Sequence, residues 1–161
     1  MTGTTATAIA PARLPEDIAE IRSLFREYAG LVSEALCFQG FDAELAGLPG
    51  AYAPPSGALL VARDAAGVAA GCVALRRLDA ETCEMKRMYV RDAHRGTGLG
   101  RRLALAIVEE ARRRNARRVV LDTLPKLDAA IALYRSLGFR EIAPYLPDPT
   151  PGALCFELRL S

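Results

Sequence analysis

Tryptophan is missing from this chain, and histidine occurs once, as His94. A single histidine leaves little with which to build a structural zinc site. The four cysteines, Cys37, Cys72, Cys83 and Cys155, stand far apart and lack metal-ligand spacing. No metal is expected, and the thiols read as buried apolar groups of a protein kept in a reducing cytoplasm. No apolar run is long enough to cross a bilayer, so no membrane partner is expected. Met1 to Ala8 is rich in threonine and alanine, with neither a basic start nor an apolar core. A signal peptide is therefore not expected there, and residues 1–7 are expected to be flexible. Aromatic residues make up only 6% of the chain, and none interleaves with the cluster Arg112, Arg113, Arg114, Arg117 and Arg118. Without a stacking platform, that cluster reads as a solvated helix face, and nucleic acid is not an expected partner.

What is present suffices for one compact domain spanning 1–161, since 51% of the residues are hydrophobic. Charge is uneven: residues 1–80 carry 6 basic and 9 acidic side chains, and residues 81–161 carry 15 and 10. The basic half contains the stretch around which the chain is organised, Glu84 to Leu103. Met88, Tyr89 and Val90 are strand formers, and Asp92 begins a polar loop. From Leu99 on, apolar residues recur at Leu103, Ala106, Ile107 and Ala111, a helical spacing. Between strand and helix lies Arg95-Gly96-Thr97-Gly98-Leu99-Gly100. Glycines let a backbone come close to a ligand with its N–H groups aligned, and the following helix start adds unpaired donors. That combination binds phosphate, with Arg95 and Arg101 at hand for charge-assisted contacts. A tight turn is the plain alternative. A dinucleotide fold would want Gly-x-Gly-x-x-Gly, but Arg101 takes the last position, although Asp122 lies where that fold keeps its ribose-binding acid. A P-loop fails, because Gly100 is followed by Arg101 and Arg102.

The loop matches, position for position, the Arg/Gln-x-x-Gly-x-Gly/Ala loop of GNAT-superfamily N-acetyltransferases. Glu84 to Val90 resembles the fourth strand of that family, and Ala130 to Phe139 resembles its Ala-x-x-Leu-Tyr-x-x-x-Gly-Phe helix. The resemblance covers about half the chain. It implies an α/β GNAT fold: a mixed, mostly antiparallel central sheet, helices on both faces, and a β–α–β core that binds acetyl-CoA and releases CoA. It assigns cofactor contacts to Met88, Tyr89 and Val90 along pantetheine, and to Arg95, Gly96, Thr97, Gly98, Leu99, Gly100 and Arg101 around the pyrophosphate. Glu84, six residues before Val90, takes the place of a catalytic base, and Tyr134 that of the general acid for the leaving thiolate. Glu84 paired with a cation and merely shaping the pocket is the competing reading. One departure stands out. Many members carry asparagine seven residues before the tyrosine, where Leu127 stands here.

The other elements follow in the family's order. Ala8 to Arg13 reads as a short strand, and Leu14-Pro15-Glu16-Asp17 opens a helix whose apolar stripe is Ile18, Ile21, Phe25, Tyr28, Val32 and Ala35. Phe38 to Pro55 reads as a loop with a brief helix at Asp42 to Ala46. Gly57 to Arg63, Val68 to Arg76 and the strand ending at Val90 form a meander, with turns at Asp64 to Gly67 and Leu78 to Glu81. The helix from Leu99 to Arg114 crosses to a parallel strand, Arg118 to Asp122. Pro125 opens the next helix, Gly138 stops it, and the strands Phe139 to Tyr145 and Leu154 to Leu160 close the sheet. Alternation in the last strand predicts one buried face, from Leu154, Phe156, Leu158 and Leu160.

The expected reaction is acetyl transfer to a primary amine, with a small molecule preferred as acceptor because no acidic groove for basic peptides is evident. Protein N-acetylation is one alternative, and a non-catalytic acyl-CoA-binding sensor on the same fold is another. A covalent cysteine mechanism would need a thiol beside His94, and none is near it in sequence. A homodimer is compatible with this reading.

Overall fold

The computed structural model describes residues 7–36 and 40–161, and for 33–36 the backbone alone. Of the start expected to be flexible, residues 1–7, residues 1–6 lie outside the described residues, as do the Cys37 thiol, Phe38 and the side chain of Ala35, while Thr7 accepts hydrogen bonds from Arg102. Seven strands form one sheet in the order β1-β2-β3-β4-β5-β7-β6. They are β1 (Ala8–Pro11), β2 (Ala58–Arg63), β3 (Ala69–Arg77), β4 (Thr82–Val90), β5 (Arg118–Thr123), β6 (Arg140–Ile142) and β7 (Leu154–Arg159). The helices are α1 (Ile18–Leu36), α2 (Phe41–Ala46), α3 (Leu99–Arg113) and α4 (Asp128–Ser136).

Local chemistry sets the meander. Asp64 Oδ1 accepts hydrogen bonds from the backbone N–H groups of Ala66 and Val68, closing the β2–β3 turn. Asp79 Oδ1 does the same for Glu81 and Thr82 between β3 and β4. Both carboxylates supply the local acceptors that turns require. From β4 the chain passes through α3 and returns as β5, parallel to β4. All other strand pairs are antiparallel.

Alternation along the strands divides the core in two. On one face Leu99, Leu103, Ile107 and Ala111 of α3, with Tyr134 of α4, pack on Leu60, Val73, Leu75, Cys83, Met85, Val119, Leu121 and Phe156. On the other, Ile21, Leu24 and Phe25 of α1, with Phe41 and Leu45 of α2, pack on Leu59, Val61, Cys72 and Ala74. No helix among the described residues is long and apolar enough to cross a membrane.

Some boundaries differ from those expected. α1 begins at Ile18, after a turn in which Asp17 Oδ2 accepts from the Arg13 N–H at 2.7 Å. α4 begins at Asp128, because Leu124 to Leu127 forms a turn of its own, Leu127 N–H donating to the Leu124 carbonyl at 3.0 Å. β6 is only Arg140–Ile142, ending short of Pro144. Burial reaches both faces of β7, since Cys155 and Glu157 are buried along with Phe156. Its Glu157 is buried against Arg118 at 2.7 Å and Arg159 at 3.2 Å. Arg118 and Arg114 are correspondingly fixed rather than solvated, Arg114 donating to the carbonyls of Pro55 and Gly57.

Candidate active site

β4 and β5 pair at Thr82–Arg118, Cys83–Val119 and Glu84–Val120 and nowhere beyond. β4 nevertheless runs on to Val90, held only by β3 on its other side. A bulge drives the parting. Cys72 faces Tyr89 and Ala74 faces Lys86, so β4 carries one residue more than β3 across this interval. Arg87 absorbs the extra length with a φ of 57°, in the left-handed region, and a bulge of this kind increases local twist. The conformation is costly for a non-glycine residue. It is held in place by the side chain, whose Nε and Nη2 donate to both carboxylate oxygens of Glu44 at 2.9 and 2.7 Å. The guanidinium also lies over the rings of Tyr28 and Phe41.

At the end of β4 a short turn at Asp92–His94 leads into the glycine loop. Gly96 and Gly98 have φ of 77° and 84°, which is why glycine is needed at both. Gly98 precedes α3 with no side chain capping the helix, so the first-turn N–H groups point outward without intrahelical acceptors. Arg95 bonds the Val90 carbonyl through Nε and pairs with Asp92, while Arg101 reaches across to Ser136 of α4.

A cavity of about 510 Å³ begins at this loop and follows Met88, Tyr89 and Val90. Leu127 and, from α4, Ala130 and Leu133 form one wall, and Tyr28 and Leu31 of α1 form another. Leu127, in the position expected to differ from the family, thus presents an apolar side chain there. A smaller cavity of about 50 Å³ occupies the gap between β4 and β5 and shares Tyr28, Met88, Leu127 and Ala130 with the first. It is lined also by Lys86, Asp122, Thr123 and Tyr134. Tyr134 is buried beside Phe139 and Phe156, and burial pushes its hydroxyl pKa above the ordinary value.

Glu84 sits where the two strands part and is fully buried, at 0% exposure. Arg76 Nε donates to its Oε1 at 2.5 Å, and the Tyr145 hydroxyl donates to its Oε2. A third cavity, of about 250 Å³, opens beside Arg76 along α2 and Tyr52. Two titratable groups in the strand gap are displaced from their ordinary behaviour. Burial pushes the Lys86 ammonium pKa down, against the pull of the Glu84 carboxylate. Burial pushes the Asp122 carboxyl pKa up, against the opposing charge of Lys86. Burial pushes the Cys72 thiol up to about 12, away from the thiolate that a covalent mechanism would use.

The structure therefore brings Met88, Tyr89, Val90, the glycine loop and Tyr134 around connected cavities, as the sequence suggests. It sets Glu84 at the rim of that gap with both oxygens engaged. Arg76, Lys86 and Tyr145 are not among the site residues that the sequence suggests, and Asp122 enters there only as the ribose-binding acid of the rival dinucleotide fold. For Asp122 the sequence carries a signal, a lone carboxylate directly after the apolar run Val119 to Leu121. Tyr145 comes from a remote proline-rich segment and left no trace in spacing.

Residues 18–139 match the family model described as acetyltransferase (GNAT) family. An uncharacterized N-acetyltransferase of Schizosaccharomyces pombe is 39% identical over 155 residues, covering 96% of this chain and 95% of its own length. An acetyltransferase of the GNAT family from Staphylococcus aureus superposes with a TM-score of 0.80 at 21% identity, over 97% of this chain and all of that one. The yncA protein of Salmonella typhimurium, whose structure holds its cofactor acetyl-CoA, superposes with a TM-score of 0.67 at 25% identity, covering 96% and 94% of the two chains.

The Arg76–Glu84 pair generates a stability prediction. Arg76→Met leaves a fully buried carboxylate with one of its two donors gone. Unfolding in urea is expected to show a loss of ~3 kcal/mol, at the low end for a broken buried pair because Arg76 keeps some contact with solvent. A change within experimental error would show that the pair does not compensate the buried charge.

Proposed function

The chain belongs to the GNAT acetyltransferase family and is an acyltransferase, and from that premise we propose that it transfers acetyl from acetyl-CoA directly to the primary amine of a small molecule. The observation that carries this reading is the continuous path from the glycine loop, along the unpaired edge of β4, to Tyr134. The N–H groups of the loop and first turn of α3 suit the pyrophosphate, with Arg95 and Arg101 able to turn toward it. The edge of β4 past Glu84, without a strand partner on the β5 side, suits the amides of pantetheine, which would complete the sheet in place of β5. Tyr134 then lies at the inner end of the path. A neutral buried hydroxyl there can give its proton to sulfur as the C–S bond breaks.

The acceptor enters from the α1–α2 face. Glu84 was the expected base, but its oxygens already hold Arg76 and Tyr145. We read it as the fixed anion that ties β3, β4 and the 143–153 segment together at the acceptor end. The small cavity beside Arg76 favours a small molecule over a polypeptide tail. Free buried thiols at Cys72, Cys83 and Cys155 suit the cytoplasm.

The direct test incubates the protein with acetyl-CoA and a panel of amines that includes amino-terminal peptides, following CoA release. Turnover of small amines supports the proposal; turnover of peptides alone would make the protein a peptide acetyltransferase, and none would favour a sensor. Gly98→Val places a β-branched residue at a left-handed φ. CoA affinity by isothermal titration is expected to fall at least about tenfold, roughly 1.4 kcal/mol, with circular dichroism unchanged. Tyr134→Phe removes only a hydroxyl, so the melting temperature should hold while kcat falls at least about tenfold. Retained kcat with a lowered melting temperature would make the hydroxyl structural.

A further inference from the structure

Asp122 is half-buried in the strand gap, and among the described residues its carboxyl group meets Lys86, Arg87 and Arg76 through space rather than through a hydrogen bond. That sets it apart from Glu84, whose two oxygens are both occupied. Glu84 and Asp122 project from adjacent parallel strands on the same face. Glu84 pairs with Val120, and Asp122 lies two residues further along β5, inside the gap. It lines the same small cavity as Tyr134 and Lys86. A half-buried carboxylate that lines the gap with no donor bonded to it is open to a donor brought by a ligand. Resting on the acetyl-transfer reading, we propose that Asp122 is the catalytic residue that docks the acceptor's ammonium group and takes its proton.

The electrostatic surroundings suit this task. Facing Asp122 are Glu84, Lys86 and Arg87 from β4 and Arg76 from β3. Tyr28 of α1, Tyr134 of α4, Tyr145 of the 143–153 segment and Cys155 of β7 feel its charge as well. Burial raises the pKa of Asp122 and lowers that of Lys86. Lys86 thus reports what an ammonium experiences in this gap: an environment that favours the neutral amine. An acceptor ammonium entering beside it meets the same desolvation and the repulsion of Lys86. The pKa values of donor and acceptor groups are drawn toward one another, which is the condition for efficient proton transfer.

The protons balance. The ammonium gives one proton to the Asp122 carboxylate, and the freed nitrogen lone pair forms the C–N bond with the acetyl carbon. The C–S bond breaks, its electron pair stays on sulfur, and sulfur takes the Tyr134 proton. The second nitrogen proton, lost as the amide forms, restores Tyr134. Asp122 releases its own to solvent, so the overall products are amide, CoA thiol and one proton.

The experiment compares the full-length wild type with Asp122→Asn and Glu84→Gln, using acetyl-CoA and an amine that the panel identifies. Wild-type kcat/KM should fall on the acid side as pH drops through the raised pKa of Asp122, because the base must be ionised. Asp122→Asn should lose that limb and roughly 10²–10⁴ in kcat/KM at neutral pH. The loss should narrow at alkaline pH, where free amine is abundant, while acetyl-CoA affinity stays unchanged. Glu84→Gln should keep the limb. Lys86→Met supplies a second readout should Asp122→Asn fold poorly. Removing that positive charge raises the Asp122 pKa further, so the limb should move to higher pH. An Asp122→Asn enzyme with near-normal rate and its acid limb intact would overturn the assignment. So would loss of the limb in Glu84→Gln, or an unmoved limb in Lys86→Met. If the wild type acetylates no amine, the acetyl-transfer reading fails and this one with it; if it does and only these variants disagree, this one fails alone.

Discussion

Three residue pairs hold β4 to β5, and a cavity opens between the two strands where a fourth pair would lie. A strand in the middle of a sheet cannot leave its backbone groups unpaired in a dry interior without cost. Past Glu84, β4 presents such an edge to a cavity. The parting is built in: an extra residue at Arg87 twists β4, and the Glu44 carboxylate with two aromatic rings fixes the strained residue. Leu127, just before α4, and Ala130 and Tyr134 of α4 line the resulting opening.

Charge is distributed to match. Outside the opening, the glycine loop offers backbone donors and arginines to an anion. Inside it, cations and carboxylates from β3, β4, β5 and α2 are neighbours, and two of the pairings are explicit, Arg76 with Glu84 and Arg87 with Glu44. Buried pairs of this kind fix geometry more than they add stability. Here they hold β3 to β4 and α2 to the bulge. Asp122 lies between these fixed groups and Tyr134, the two ends of the same gap.

The parts of this arrangement that depend on local sequence could be read from it. The glycine loop, the stripe of α3 from Leu99 to Ala111 and the stop at Gly138 all follow from spacing and backbone freedom, and each occurs as expected. So does the antiparallel meander with one parallel crossover. What escaped depends on contacts between distant segments. A left-handed arginine leaves no sequence signal, so the bulge at Arg87 was invisible. Sequence leaves Glu84 open between a base and a cation-paired pocket residue, because its partners Arg76 and Tyr145 come from other segments, Tyr145 sixty-one residues away. Alternation alone makes Glu157 solvent-facing, and the Arg118 side chain of the neighbouring β5, which alternation does not show, pairs with it where it is buried. Leu127 shows the opposite case: a departure from the family's residue that changes one wall of the cavity and leaves the fold in place.

The central claim is that the gap between β4 and β5 receives the thioester arm while the glycine loop holds the phosphates. A crystal structure of the protein with acetyl-CoA tests it most directly. The account predicts pyrophosphate oxygens on the amides of Arg95 to Gly100, pantetheine amides hydrogen-bonded to the backbone of Met88 to Val90, and sulfur within hydrogen-bonding reach of the Tyr134 hydroxyl. Electron density for the cofactor elsewhere, or a gap closed by continued β4–β5 pairing beyond Glu84, would contradict it.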